Sequence, residues 1–289
     1  VGRRLTLIGR GRGSGAVRDD VGDAPPDSGQ ERRIDDLLGA RDGGVEGSNG
    51  LRLQRAQGHR RIVGAACEDA RVPRPDVVLL DLDGTITDSI PGIFRCLRLA
   101  LPVIGMEGID DDELRTWLGP PLRWTLLERY GKSEDELDRF VVAYRAEYFG
   151  GGEYEFDVFP GMAELIRDVA ASDTRLVLAT AKPIESAERV LTRAGLIDCF
   201  DFVSGTELDL MRQDKPSVIA HGVEGAGLDI ATVDAVMVGD RKEDVAGGRH
   251  HGFRTAGVRW GYADPGELEE ADATYLVADA AELRAVLGF

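Results

Sequence analysis

Val77-Val78-Leu79-Leu80-Asp81-Leu82-Asp83-Gly84-Thr85 is the stretch on which the fold turns. Four β-favouring apolar residues in a row, cut off by Asp-Gly, predict a parallel strand buried on both faces and ended by a tight turn. Such a strand delivers its last side chains to the carboxyl edge of a sheet, where α/β proteins bind ligands. Asp81 and Asp83 stand two residues apart, so on extended backbone both point the same way and converge on one small volume. Like charges that close are tolerated only with a cation, a shared proton or a basic side chain nearby. A hard divalent ion with oxygen ligands meets that need. An Asp-Gly turn with a second, solvated carboxylate is the other reading of these residues alone.

Outward from this strand, the pattern from Asp76 alternates between strand and helix. Apolar runs at 77–81, 175–180, 201–204, 234–239 and 254–258 predict strands, and amphipathic segments near 162–171, 184–194, 215–226, 243–251 and 279–287 predict helices. This alternation predicts an α/β fold with a doubly wound, mostly parallel sheet. The first two strands are separated by far more chain than a crossover needs. That interval reads as helices at about 89–103, 111–117, 121–130 and 134–148, with N-cap candidates at Asp110 to Asp112 and Ser133. Gly119-Pro120-Pro121 and Gly150-Gly151-Gly152 punctuate it. The expected organisation is a core of 76–91 and 158–289 with an inserted all-helical cap over 92–157, placed to close over the carboxyl edge and exclude water.

Residues 1–75 differ from the rest: they hold 14 Arg, no Lys, 11 acids and no aromatic residue. Such a segment cannot bury enough apolar surface to offset chain entropy, so a disordered N-terminal extension is expected. Its acids argue against a transit peptide. Gly9-Arg10-Gly11-Arg12-Gly13-Ser14-Gly15 fails the GxGxxG spacing of a dinucleotide loop. A further expectation is that the extension is not native, Val1 marking an upstream non-AUG start. The whole chain has 35 basic and 52 acidic residues, a formal charge of -17, which argues against nucleic acid or an anionic membrane as partner. Three cysteines without a CxxC indicate neither a disulfide framework nor a zinc site, and a reducing cytoplasm is the expected location. No apolar run reaches the roughly 18 residues of a membrane span.

Further chemistry stands at later strand ends. In Ala179-Thr180-Ala181-Lys182-Pro183, Thr180 and the backbone N–H groups of a helix start suit a phosphate oxygen, or Thr180 is simply a helix cap. Lys215, in Asp214-Lys215-Pro216, precedes a helix and is otherwise a surface lysine. Val236-Met237-Val238-Gly239-Asp240 runs a buried strand into an acid, and Asp244 follows where a helix begins. Asp240 can ligate a metal; Asp244 can hold its waters, orient Lys215, or merely complement the helix dipole. His250-His251 looks like a metal pair but falls on a helix away from the strand ends.

The order and placement of these four elements over residues 76–289 resemble the four motifs of the haloacid dehalogenase superfamily. Gly119-Pro120-Pro121-Leu122, Ala179-Thr180-Ala181-Lys182-Pro183, Gly239-Asp240-Arg241 and Gly257-Val258-Arg259-Trp260-Gly261-Tyr262 resemble its phosphoglycolate phosphatase-like branch, with a helical C1-type cap. That resemblance implies a Mg²⁺-dependent phosphatase in which Asp81 is the nucleophile forming an aspartyl-phosphate and Asp83 the general acid and base. It implies Thr180, Ala181 and Lys215 around the transferring phosphoryl group, and Asp81, the Asp83 carbonyl, Asp240 and Asp244 around the metal. The implied substrate is a small phosphorylated metabolite: phosphoglycolate, a nucleoside 5′-monophosphate or a sugar phosphate. Arg95, Arg98, Arg115 and Arg123 of the cap are candidates for its remote end. A monomer or homodimer is expected. A phosphomutase of the same fold is the alternative activity, and a non-catalytic binding module a further one.

Overall fold

The computed structural model describes residues 72–118, 122–206 and 214–289. The expectations for residues 1–71 and for Gly119-Pro120-Pro121 lie outside the described residues. Strand β1 is Val77–Leu80, with every residue buried. The sheet continues with β4 (Arg175–Pro183), β5 (Phe202–Thr206), β6 (Ala235–Gly239), β7 (Arg254–Val258) and β8 (Tyr275–Val277), in the order β5-β4-β1-β6-β7-β8. All of these pairings are parallel. The chain runs outward from β1 through β4 to β5, then returns to β6 on the other flank of β1. The crevice beside β1 is therefore a topological switch point, the place where such sheets bind ligands.

The alternation within β1 explains the two cores. Val78 and Leu80 face a cluster with Leu165, Ile166, Val190 and Leu283, while Val77 and Leu79 face one with Val218, Ile219 and Val223. The first layer is built by α5 (Met162–Ala170), α6 (Ile184–Ala194) and α10 (Ala280–Leu287). The second contains α7 (Lys215–Gly225), with α8 (Lys242–His250) beside it and the short α9 (Glu267–Glu270) following β7. Residues that the sequence pattern places in the extension already dock on this core. Arg74 Nε donates to Gly288 O at 2.9 Å, and its guanidinium lies 4.3 Å from the Phe289 ring centre.

Between β1 and β4 the chain builds α1 (Ile90–Ala100), α2 (Asp111–Arg115), α3 (Leu122–Trp124) and α4 (Glu134–Phe149). The single helix expected over 89–103 breaks at Ala100 into a 3₁₀ turn, Leu101–Ile104, because Pro102 has no N–H to continue the α ladder. These helices close on a core of their own, centred on Phe94, Leu97, Leu114, Trp117, Leu126 and Phe140. Asp110 and Ser133 cap α2 and α4 by accepting from the N–H groups of Glu113 and Glu136. A two-stranded antiparallel ribbon that the sequence pattern does not announce, β2 (Thr87–Asp88) with β3 (Asp157–Val158), forms the neck of the insertion. Gly92 and Gly152 let the two crossings of that neck touch. A Cβ on Gly92 would stand 2.1 Å from Gly152 O, and one on Gly152 2.2 Å from Cys96 Sγ. Among the described residues no helix is long and apolar enough to cross a membrane.

Candidate active site

Asp81 is the first residue beyond β1, and its N–H continues the ladder to Val238 O at 3.0 Å. The chain then turns sharply, with Gly84 N donating to Thr87 O at 2.8 Å and Gly84 at φ +84°. A Cβ on Gly84 would lie 2.2 Å from Asp240 Oδ2, so only glycine lets this turn pass over that carboxylate. Asp240 follows β6 and is fully buried. It accepts from Thr85 Oγ1 at 3.2 Å and from the Tyr262 N–H at 2.7 Å. Asp244, in the first turn of α8, accepts from the Arg241 N–H at 3.0 Å.

Asp81, Asp240 and Asp244 each bring a carboxylate oxygen within 4.8 Å of the others, all buried. Lys215, at the start of α7, pairs with two of them: Nζ is 3.0 Å from Asp81 Oδ1, 3.1 Å from Ala179 O and 2.6 Å from Asp244 Oδ1. The last contact is an ion pair without the alignment of a hydrogen bond. One ammonium cannot neutralise three carboxylates. Burial raises Asp81 to about 6, with Asp244 adding to the rise and Lys215 opposing it. Burial, followed by Asp244 and Asp81, raises Asp240 well above the ordinary carboxyl range. Burial works against charge on Lys215, but Asp244 and Asp81 outweigh it and its pKa is raised. Excess negative charge held by a converging set of hard oxygen donors is what a divalent cation of the Mg²⁺ class requires. The residues present fit such an ion.

The Asp83 carboxylate does not join this cluster. Lys182 Nζ holds it at 2.8 Å (Oδ1) and 2.6 Å (Oδ2), and the Ser89 hydroxyl donates to Oδ1 at 2.5 Å. The two acids of the opening motif thus take separate cations, Lys215 and Lys182, because the chain is already turning at Asp83. Lys182 also contacts the Tyr148 hydroxyl, from the last turn of α4, at 2.6 Å. Burial opposes charge on Lys182, yet Asp83 and Tyr148 outweigh it and raise its pKa.

Thr180 is buried at the same sheet edge, on the strand paired with β1. The strand expected to end at Thr180 runs on to Pro183, and α6 begins at Ile184, where the sequence pattern places it. The Thr180 hydroxyl accepts from the Lys182 N–H at 3.2 Å, and the carbonyl of the exposed Ala181 accepts from Thr206 Oγ1 at 3.0 Å. Of the cap arginines, Arg95 pairs with Glu155, Arg98 with Asp111 and Arg123 with Glu134; Arg115 is exposed. Among the described residues, the Tyr148 hydroxyl and the Leu118 carbonyl, which accepts from Arg241, reach from the cap to the core at the site. His251 donates from Nε2 to Pro216 O at 2.9 Å, bracing the start of α7, and neither it nor His250 belongs to the carboxylate cluster.

Lys182, Tyr148 and Ser89 are the site residues that sequence reasoning missed. For Lys182 a signal existed: in a strand continued past Thr180, residue 182 shares its face. For Tyr148, the spacing Phe140, Tyr144, Tyr148 marks one face of α4 without saying what that face meets.

A family model described as haloacid dehalogenase-like hydrolase matches residues 78–258. Over 217 residues the chain is 36% identical to a tyrosine-protein kinase, PtkA, of Mycobacterium tuberculosis, covering 74% of this chain and 73% of that one. It is 34% identical over 219 residues to a 5′-nucleotidase of Pseudomonas aeruginosa, covering 76% and 98%. Among solved structures, that of a predicted phosphatase from Clostridium acetobutylicum superposes with a TM-score of 0.67 at 31% identity, covering 73% of this chain and 97% of that one. With buried carboxylates at the sheet's carboxyl edge and this match through both core and cap, the chain belongs to the haloacid dehalogenase-like hydrolase family, as a member of phosphatase type.

Proposed function

We propose that the protein is a Mg²⁺-dependent phosphatase acting on a small phosphomonoester through an aspartyl-phosphate at Asp81. The observation that carries this is the buried trio Asp81, Asp240 and Asp244, two of which, Asp81 and Asp244, pair with Lys215. Asp81 heads the chain's central strand at the switch point, where a carboxylate oxygen can attack phosphorus in line. Asp240 and Asp244, with Asp81 and the Asp83 carbonyl, would hold the metal, which when bound supplies positive charge for the phosphoryl oxygens. Lys215 remains to balance charge that develops on those oxygens. Asp83, poised on Lys182 and Ser89, protonates the departing alcohol and then takes a proton from the water that hydrolyses the intermediate. Thr180 and the backbone at Ala181 line the phosphate side. Helices α1 to α4 close the site from solvent and choose the substrate, a small phosphorylated metabolite: a nucleoside 5′-monophosphate, which the similarity to the protein named 5′-nucleotidase supports, phosphoglycolate or a sugar phosphate.

The experiment is phosphate release by the full chain from a panel of these esters, with Mg²⁺ and with chelator. Release that requires Mg²⁺ and singles out one ester class supports the proposal; no release from any ester contradicts it. A second reading rests on the similarity to the protein named tyrosine-protein kinase: the phosphoryl group on Asp81 passes to a tyrosine hydroxyl in place of water. Labelled ATP separates the two, since label arriving on tyrosine favours transfer and label leaving as inorganic phosphate favours hydrolysis. A phosphomutase would instead need an activating bisphosphate in the same panel.

A further inference from the structure

Lys182 is a buried lysine with its side chain only 5% exposed, and its ammonium joins two parts of the molecule. On one side it holds both oxygens of Asp83. On the other it meets the Tyr148 hydroxyl at 2.6 Å, with the same ring 5.2 Å away at its centre. Tyr148 is itself buried and stacks on Tyr144, so its hydroxyl has little freedom. Lys182 in turn is fixed by the strand that carries Thr180. A buried ammonium gains from every hydrogen bond it keeps, and losing one partner lets it seek another.

We propose that Tyr148 is a positioning residue for the reaction. Its hydroxyl anchors Lys182, and Lys182 anchors Asp83, so that the last helix of the cap sets the orientation of the residue that exchanges protons with the leaving group. This rests on the reading of Asp83 as general acid, and the test separates the two.

The test exploits leaving groups. An aryl ester such as 4-nitrophenyl phosphate departs without help from an acid, whereas the primary alkyl ester that the enzyme turns over best needs a proton in the transition state. Hydrolysis of the aspartyl-phosphate draws on Asp83 whichever ester was used, so the full chain is read at the first step only: release of alcohol or phenol in a single turnover, with enzyme in excess and saturating Mg²⁺, comparing wild type with Tyr148→Phe, Lys182→Gln and Asp83→Asn. Tyr148→Phe keeps the ring over Lys182 and removes only the oxygen. A general acid contributes about 10²–10⁴-fold, so partial loss of its placement is expected to lower the single-turnover rate for the alkyl ester by about 10-fold or more, with the ester concentration at half-maximal rate and the aryl single-turnover rate nearly unchanged. Asp83→Asn shows the same pattern, more strongly. Equal effects of Tyr148→Phe on both esters, or none on either, would overturn the inference, because a purely structural tyrosine has no means of sensing the leaving group. An Asp83→Asn variant that treats both esters alike would instead overturn the underlying assignment of Asp83. Should Tyr148→Phe not fold, Lys182→Gln, which leaves the tyrosine in place, tests the same link: a loss confined to the alkyl ester supports it, and equal effects on both esters overturn it.

Discussion

Asp81 and Asp83 share a motif but not an environment, and that difference sets what each substitution does. Asp81→Asn keeps the shape of a buried side chain and removes the nucleophilic oxygen, so turnover is expected to fall by at least about a hundredfold, with the far-ultraviolet circular dichroism spectrum unchanged. Residual activity near wild type would sink the nucleophile assignment. Lys215→Met removes the ammonium that pairs with Asp81 and Asp244, two of the three buried carboxylates. Breaking a buried pair in this way costs about 3–5 kcal/mol, so a large fall in Tm is expected without metal. A cation bound at the trio restores part of that loss. Added Mg²⁺ is therefore expected to raise the variant's Tm, and to raise the wild-type Tm by the stabilisation that any ligand of the native state confers, about 2.7 kcal/mol at a hundred times Kd. Thermal melts with and without Mg²⁺ check this, and no shift in either protein would contradict the metal assignment.

Helix α4 carries the Tyr148 contact, and its far end is fixed by a capping box. The Ser133 hydroxyl accepts from Glu136 N, and the Glu136 carboxylate accepts from Ser133 N at 2.9 Å. The Ser133 backbone and hydroxyl, followed by Lys132, hold the Glu136 carboxyl down at about 2. A depressed acid stabilises the fold above its unfolded pKa and loses that contribution as pH falls through the folded value. Melts between pH 6 and 2 are expected to show the wild-type protein losing its advantage over Glu136→Gln below about pH 4, the difference vanishing near pH 2. A difference independent of pH would show that the carboxylate charge is not the stabilising feature. At α8 the Gly247-Gly248 pair, costly in helix propensity, has its reason in close approach. A Cβ on Gly248 would lie 2.9 Å from Met237 Cβ and one on Gly247 2.7 Å from Lys215 Cγ, so this helix lies directly on the sheet and on α7. Gly248→Ala is expected to lower Tm by the several degrees that a backbone shift of α8 implies, measured by calorimetry.

At the scale of the whole molecule, the parallel core was readable in the sequence wherever a run was short, apolar and bounded. Strands β1, β6 and β7 fall within a residue of their expected limits, since each is buried on both faces and ends at a Gly, an Asp or a charged boundary. The ribbon of β2 and β3 and the edge strand β8 were not legible, because elements of two or three residues carry no periodicity. The trio of carboxylates followed from strand ends, which topology brings together. Asp83's partners did not: Lys182, Ser89 and Tyr148 come from a lengthened strand, a neck and a cap helix, and only the packing of the cap on the core makes them neighbours.

A phosphoryl group carried on Asp81 is the feature from which the rest of the mechanism follows. The measurement that tests it most directly is acid quench of the enzyme during turnover, borohydride reduction of any acyl phosphate, and mass spectrometry of the peptide containing residues 77–85. Reduction of residue 81 to homoserine is expected, dependent on substrate and absent after turnover is complete. Unmodified Asp81 during turnover, or a phosphoryl group found on another side chain, would contradict it.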